Sequence, residues 1–112
     1  MSDFQELVTL LEKFRDDRDW GQFHDSKNLA LALFLEAAEL NELFLWKKET
    51  ESEEVDQQRL REELADVFAY AIMLAGRHGL DVSEIVKDKI KQNAKKYPVE
   101  QSRGKSKKYK DL

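Results

Sequence analysis

Apolar residues fall on every side of the helix expected over 28–48. Leu29, Leu31, Leu33, Phe34, Leu35, Leu40, Leu43, Phe44 and Leu45 cannot share one narrow stripe, and a helix of that kind must be covered on several sides. A chain of 112 residues is one domain with a single modest core, too small to surround such a helix alone. The expectation is therefore self-association, with this helix covered partly by its own chain and partly by a second copy.

Helix is the only regular structure the composition favours. The chain holds one proline and four glycines, and Leu, Ala, Glu and Lys, all good helix formers, abound. Alternating strand patterns and Asn-Gly or Asp-Gly hairpin turns are absent. The pattern predicts an all-α, four-helix-bundle-like fold with helices near 3–17, 28–48, 56–78 and 81–97. Ser2 with Gln5 reads as a capping box for the first helix, whose stripe is Phe4, Leu7, Leu11 and Phe14. Gly79 is the expected stop of the third helix, Asp81 and Glu84 cap the fourth, and Pro98 follows its end. Between the first two helices, Asp19 to Lys27 is a connector rich in aromatic character (Trp20, Phe23, His24), a composition more typical of site-lining loops than of plain linkers. The acidic run Glu49 to Asp56 reads as a solvated loop or frayed helix start. Residues 1–100 form the helical domain, and 101–112 a basic tail (Arg103, Lys105, Lys107, Lys108, Lys110) that is either disordered or folds over a site.

Charge and composition exclude several function classes. A net charge of −4 argues against a nucleic-acid-binding surface. The lack of cysteine removes disulfides and thiolate chemistry, and two histidines, His24 and His78, make a His-rich zinc site a poor reading. No apolar run is long enough to span a membrane, and Met1-Ser2-Asp3-Phe4 carries no signal-peptide pattern. The expectation is a cytoplasmic protein with no membrane partner.

Against that background two pairs of acids stand out, Glu36 with Glu39 and Glu63 with Asp66. Residues three apart lie on one face of a helix. Glu36 and Glu39 are embedded in Leu-Glu-Ala-Ala-Glu-Leu, and Asp66 opens the apolar run Val67 to Leu74. Glu63, inside Arg61-Glu62-Glu63-Leu64, taken alone is an ordinary solvated acid, and Glu42 extends the row one step further, either just behind the ligands or at the surface. Carboxylates turned inward without a compensating cation are costly. Four of them from two facing helices make an oxygen cage suited to Mg²⁺, with Mn²⁺ able to substitute. Di-iron bundles place a His in the corresponding Glu-x-x-His motif, and no His stands at that offset here. A metal held so would neutralise phosphate oxygens and activate water, with a spare carboxylate as general base. Lys89, Lys96 and the tail are candidate phosphate clamps, although each lysine is also an ordinary surface charge. Trp20, Phe23, Trp46 and Tyr70 offer faces on which a nucleobase could stack; the plainer alternative for Trp20 and Trp46 is core, and for His24 a loop hydrogen bond.

The ordered strings Arg18-Asp19-Trp20-Gly21-Gln22-Phe23-His24 with Asn28-Leu29, Glu36-x-x-Glu39-Leu40-x-Glu42-Leu43-Phe44-x-Trp46-Lys47, Glu62-Glu63-Leu64-x-Asp66-Val67, Lys89-x-x-x-Asn93-x-x-x-Tyr97-Pro98 and Lys108-Tyr109 resemble MazG-like nucleotide pyrophosphohydrolases of the dCTP pyrophosphatase type. The resemblance implies a homodimer or homotetramer with sites near the subunit contacts. It implies Mg²⁺ held by Glu36, Glu39, Glu63 and Asp66, the same four serving catalysis. The reaction it implies is hydrolysis of a (deoxy)nucleoside triphosphate, dCTP or a relative, to monophosphate and pyrophosphate in nucleotide-pool house-cleaning. By the same resemblance Trp20 and Trp46 contact the base, Tyr70 and Asn93 the sugar or phosphate, and Lys89 and Lys96 the phosphates. One departure is Leu11, where such relatives tend to carry a His. Leucine cannot hydrogen-bond a cytosine edge, which argues for a broader pyrimidine range or tolerance of dATP. The competing class is a non-catalytic helical interaction module.

Overall fold

A computed structural model describes residues 3–111, apart from the side chain of Tyr109. Its regular structure is entirely helical: α1 (Asp3–Asp17), α2 (Ser26–Glu42), α3 (Gln57–Arg77), α4 (Val82–Lys96) and a short α5 (Val99–Ser102). Single 3₁₀ turns lie at Gly21–Phe23, Glu49–Glu51 and Tyr109–Asp111. The expected cap at Ser2 lies outside the described residues.

Local chemistry accounts for the helix ends. Asp25 caps α2 by accepting from the Asn28 amide at 2.8 Å, which starts that helix two residues earlier than its apolar pattern implies. Asp56 accepts from the amides of Gln58 and Arg59 at the head of α3, and Asp81 accepts from that of Glu84 at the head of α4. His78 ends α3, and Gly79 then takes φ +65°, the left-handed conformation of a helix stop. The far end of α2 departs from expectation. The helix closes at Glu42 rather than continuing to Lys48. Leu43 turns inward and is buried, its neighbours tighten into i→i+3 hydrogen bonds (Phe44 to Asn41, Leu45 to Glu42), and Trp46 adopts φ +67°. That left-handed residue ends the helical path.

α2 and α3 form an antiparallel pair: Ser26 at the start of α2 bonds His78 beyond the end of α3, while Glu36 and Glu39 lie opposite Glu63. α1 lies on α3, and the approach is close because Gly76 has no side chain; a Cβ there would stand 3.0 Å from a Val8 methyl. On α1 the half-buried positions are Phe4, Val8, Leu11 and Arg15, whereas Leu7 and Phe14, expected inward, are more exposed. α4 meets the rest at its first turn, where Ile85 shares an apolar hollow with Leu33, Ala71, Leu74, Ala75 and Leu80.

The bundle is open within one chain. Among the described residues the buried apolar side chains are Leu29, Leu43, Ile72 and Ala75, and none of them is completely enclosed. The radius of gyration is 17.5 Å, against about 13 Å for a compact domain of this length. Leu31, Phe34 and Leu35 form an exposed i, i+3, i+4 stripe on α2; α3 adds Leu64 and Phe68, and α4 adds Ile85, Val86 and Ile90. No helix among the described residues is long and apolar enough to cross a membrane.

Candidate active site

The antiparallel pairing of α2 and α3 brings the acids together. Carboxylate oxygens of Glu36, Glu39 and Glu63 lie within 4.8 Å of one another. Glu36 Oε2 and Glu63 Oε2 are enclosed and have no hydrogen-bond partner. Asp66 stands beside this group, and its charge bears on Glu36 and Glu63. Burial, the Glu39 carboxyl and the charges of Asp66 and Glu63 push Glu36 up to about 7. Glu63 is also raised, first by desolvation and then by Glu39 and Asp66, with Arg59 partly offsetting them. Two orphaned oxygens among mutually repelling carboxylates fit a hard divalent cation.

These shifts fix the sign of a pH dependence. Glu36 titrates near 7 when folded against an ordinary 4.5, so over that interval the folded chain binds more protons than the unfolded one. The contribution of Glu36 to stability without metal is then fully present below about pH 4.5 and is lost as pH rises to about 7. Thermal melts in EDTA across this range should show a falling melting temperature that Glu36→Gln flattens. A wild-type profile that rises, or a variant profile parallel to it, contradicts the cluster geometry.

Next to the acids is a cavity of about 230 Å³ lined by Leu11, Phe14, Arg15, Trp20, His24, Asp66, Ala69, Tyr70 and Met73. About two helical turns of α3 (Asp66, Ala69 and Tyr70, Met73) make one wall, and the connector with α1 makes the other. The aromatics meet edge to face: Phe14 with Trp20 at 5.8 Å, Trp20 with His24 at 6.5 Å, and His24 with Tyr70 at 6.4 Å. His24 Nδ1 is enclosed and partnerless. Burial and the charges of Glu36, Asp66 and Glu39 raise the Tyr70 hydroxyl above its usual pKa, so Tyr70 stands between pocket and cluster.

The structure thus gathers Glu36, Glu39, Glu63, Asp66, Trp20 and Tyr70 into one region. It does not bring the other expected residues there. Trp46 is 98% exposed at the left-handed turn after α2, and Trp20 is 43% exposed, so neither is core. Lys89 and Asn93 line a separate hollow on α4 with Ile85, Val86 and Ile90, and Lys96 is exposed in the last turn of α4. His24 is more than a loop hydrogen bond. Its place in the wall was signalled only by the aromatic company it keeps in the connector.

An all-helical chain with an acid cluster shared between two antiparallel helices, flanked by an aromatic pocket, is the class defined by this geometry. The MazG-like family model matches residues 31–112, and the chain belongs to the MazG-like family. It is 42% identical to dCTP pyrophosphatase 1 of Mus musculus and 38% identical to that of Homo sapiens, each over 96% of this chain and 66% of the relative. The chain therefore spans just under two thirds of the length of these curated relatives. A solved structure of a pyrophosphatase from Archaeoglobus fulgidus superposes with a TM-score of 0.82 at 37% identity, covering 88% of this chain and 94% of that one.

Proposed function

We propose that the protein hydrolyses deoxynucleoside triphosphates, dCTP or related pyrimidines, to the monophosphate and pyrophosphate with Mg²⁺, as a house-cleaning enzyme of the cytoplasmic nucleotide pool. The observation that carries this reading is the shared residue Asp66, which lines the aromatic pocket and bears electrostatically on the acid cluster. A base seated in the pocket would direct its phosphates toward the carboxylates.

Glu36, Glu39, Glu63 and Asp66 would hold Mg²⁺, which when bound supplies positive charge to the triphosphate oxygens. Trp20 and Tyr70 stack and orient the base, and the partnerless Nδ1 of His24 is a hydrogen-bonding group inside the same wall. Apolar Leu11, Ala69 and Met73 exclude water from that end. A carboxylate oxygen not taken up in ligation receives a proton from the attacking water. The water oxygen bonds to phosphorus as the α–β anhydride bond breaks, and the electron pair leaves on pyrophosphate. The names of the mammalian relatives and of the archaeal pyrophosphatase support this reaction.

Trp46, Lys89, Asn93 and Lys96 would join the site from a second copy. The chain would form a homodimer or homotetramer through its exposed apolar stripes. Supporting this is the position of Trp46, a bulky side chain at φ +67° with almost no cover from its own chain. Such a conformation is costly unless something is gained by it.

Product analysis of dCTP, dTTP, dUTP and dATP, with Mg²⁺ and with EDTA, tests the reaction. Metal-dependent release of monophosphate and pyrophosphate is expected, with the pyrimidines ahead of dATP. Release of single phosphate would break the assignment, and no turnover of any nucleotide would leave a helical self-association module.

A further inference from the structure

The pocket has two walls from different parts of the chain, and its width depends on what ties them together. One wall is α3. The other is the connector, whose first residues return hydrogen bonds to α1: Trp20 N–H donates to the Arg15 carbonyl at 3.0 Å, and Arg18 Nη1 donates to the Phe14 carbonyl at 2.9 Å. The Arg18 guanidinium also covers the Phe14 ring at 3.6 Å. Asp19 in this segment holds φ +54°, a conformation a non-glycine residue keeps only when its surroundings over-determine it.

Two consecutive residues, Arg77 at the end of α3 and His78 just past it, reach across to the connector and to the first residue of α2. Arg77 Nη1 donates to the His24 carbonyl at 3.3 Å, and His78 Nε2 pairs with Ser26 Oγ at 2.8 Å. Arg77 lies one turn beyond Met73, on the same side of α3 as Asp66, Ala69, Tyr70 and Met73. The helix that supplies one wall thus also grips the other. Its acceptor is the main chain of His24, whose ring stands between Trp20 and Tyr70.

We propose that Arg77 is a positioning residue for substrate binding: by holding the His24 carbonyl it sets the Trp20–His24 wall at its distance from Tyr70. This rests on the pocket being the base site. Arg77 itself is exposed and touches none of the reacting groups; it acts through His24 and Trp20.

The decisive comparison is Arg77→Met, which keeps the aliphatic stem and removes the donor, against Arg77→Lys, which restores a donor. For dCTP, Arg77→Met should raise KM about five- to tenfold, the scale of one lost hydrogen bond, with kcat changed by less than about twofold. Arg77→Lys should recover most of that loss. In a Trp20→Ala background Arg77→Met should add no more than about a twofold effect, because both act on the same wall. An unchanged KM, a parallel fall in kcat, or full additivity with Trp20→Ala overturns the proposal. Quenching of Trp20 by neutral acrylamide, read in a Trp46→Phe background, decides the clamp independently of turnover. Greater quenching in Arg77→Met supports it, and equal quenching overturns it. If the wild-type chain hydrolyses no nucleotide, the proposed function falls and the substrate-binding role of Arg77 falls with it, while quenching still decides whether Arg77 holds the wall.

Discussion

Glutamine at position 36 should lower kcat/KM by at least about 100-fold, since loss even of groups that merely support a metal ligand costs 10–100-fold. The same Glu36→Gln change should raise the melting temperature of the metal-free protein. The two effects have one cause. Glu36 Oε2 is enclosed and partnerless, and its carboxyl is destabilised by burial and by Glu39, Asp66 and Glu63. An amide of the same shape carries no charge, so it relieves that repulsion while losing an anionic ligand. Near pH 8, where Glu36 is ionised, the gain should be on the order of 4 °C or more for a domain of this size. Mg²⁺ should stabilise the wild-type chain and much less so the variant. Kinetics and melts with and without EDTA make the test, with Glu53→Gln on the exposed acidic stretch as the control. A variant that keeps most of its activity, or that melts lower in EDTA, would mean that these acids are an ordinary solvated face.

The second large effect concerns assembly. Phe34 is 68% exposed in the single chain, at the centre of the Leu31, Phe34, Leu35 stripe. Scattered exposed apolar residues are normal, but contiguous ones mark an interface. Burying one phenylalanine is worth about 1.5–3 kcal/mol. In a two-fold symmetric contact the same residue is used twice, so Phe34→Asp removes roughly 3–6 kcal/mol. That corresponds to about a 10²- to 10⁴-fold weaker association. Sedimentation of the wild-type chain at micromolar concentration should give a multiple of 13.2 kDa. The variant should dissociate, lose helicity and lose turnover together, because Trp46 would no longer reach a neighbouring site. A wild-type chain that sediments as a single 13.2 kDa species removes the basis for this expectation.

Helix positions could be read from the chain because their causes are local, except that the Asp25 cap starts α2 two residues before its apolar pattern. Asp25, Asp56 and Asp81 each satisfy amides two or three residues away, and Gly79 supplies the left-handed stop after α3. The i, i+3 spacing put Glu36 beside Glu39 and Glu63 near Asp66 for the same reason. The end of α2 could not be read that way. The apolar pattern runs on through Leu45, yet the helix closes at Glu42, tightens into i→i+3 turns beside the buried Leu43 and ends at the left-handed Trp46. Lys89 and Asn93, expected at the substrate by resemblance, share a hollow of α4 with Ile85, Val86 and Ile90 within one chain.

Other parts of the site depend on contacts between distant residues. Nothing in the connector shows that the His24 ring will face Tyr70, or that Arg77, 53 residues on, will hold the His24 carbonyl. Leu11 was placed near the base by the family resemblance alone, and the fold sets it in the cavity with Trp20 and Met73. The sequence by itself determined the all-helical build, the acid pairs and an apolar surplus too large for one small core, because propensity, capping and periodicity act within a few residues. The tertiary structure alone decided that the two pairs meet, which oxygens are left without partners, and that the aromatic pocket opens beside them. Those outcomes depend on how α2 and α3 pair and how α1 leans on Gly76, and such packing is settled by contacts between segments distant in the chain.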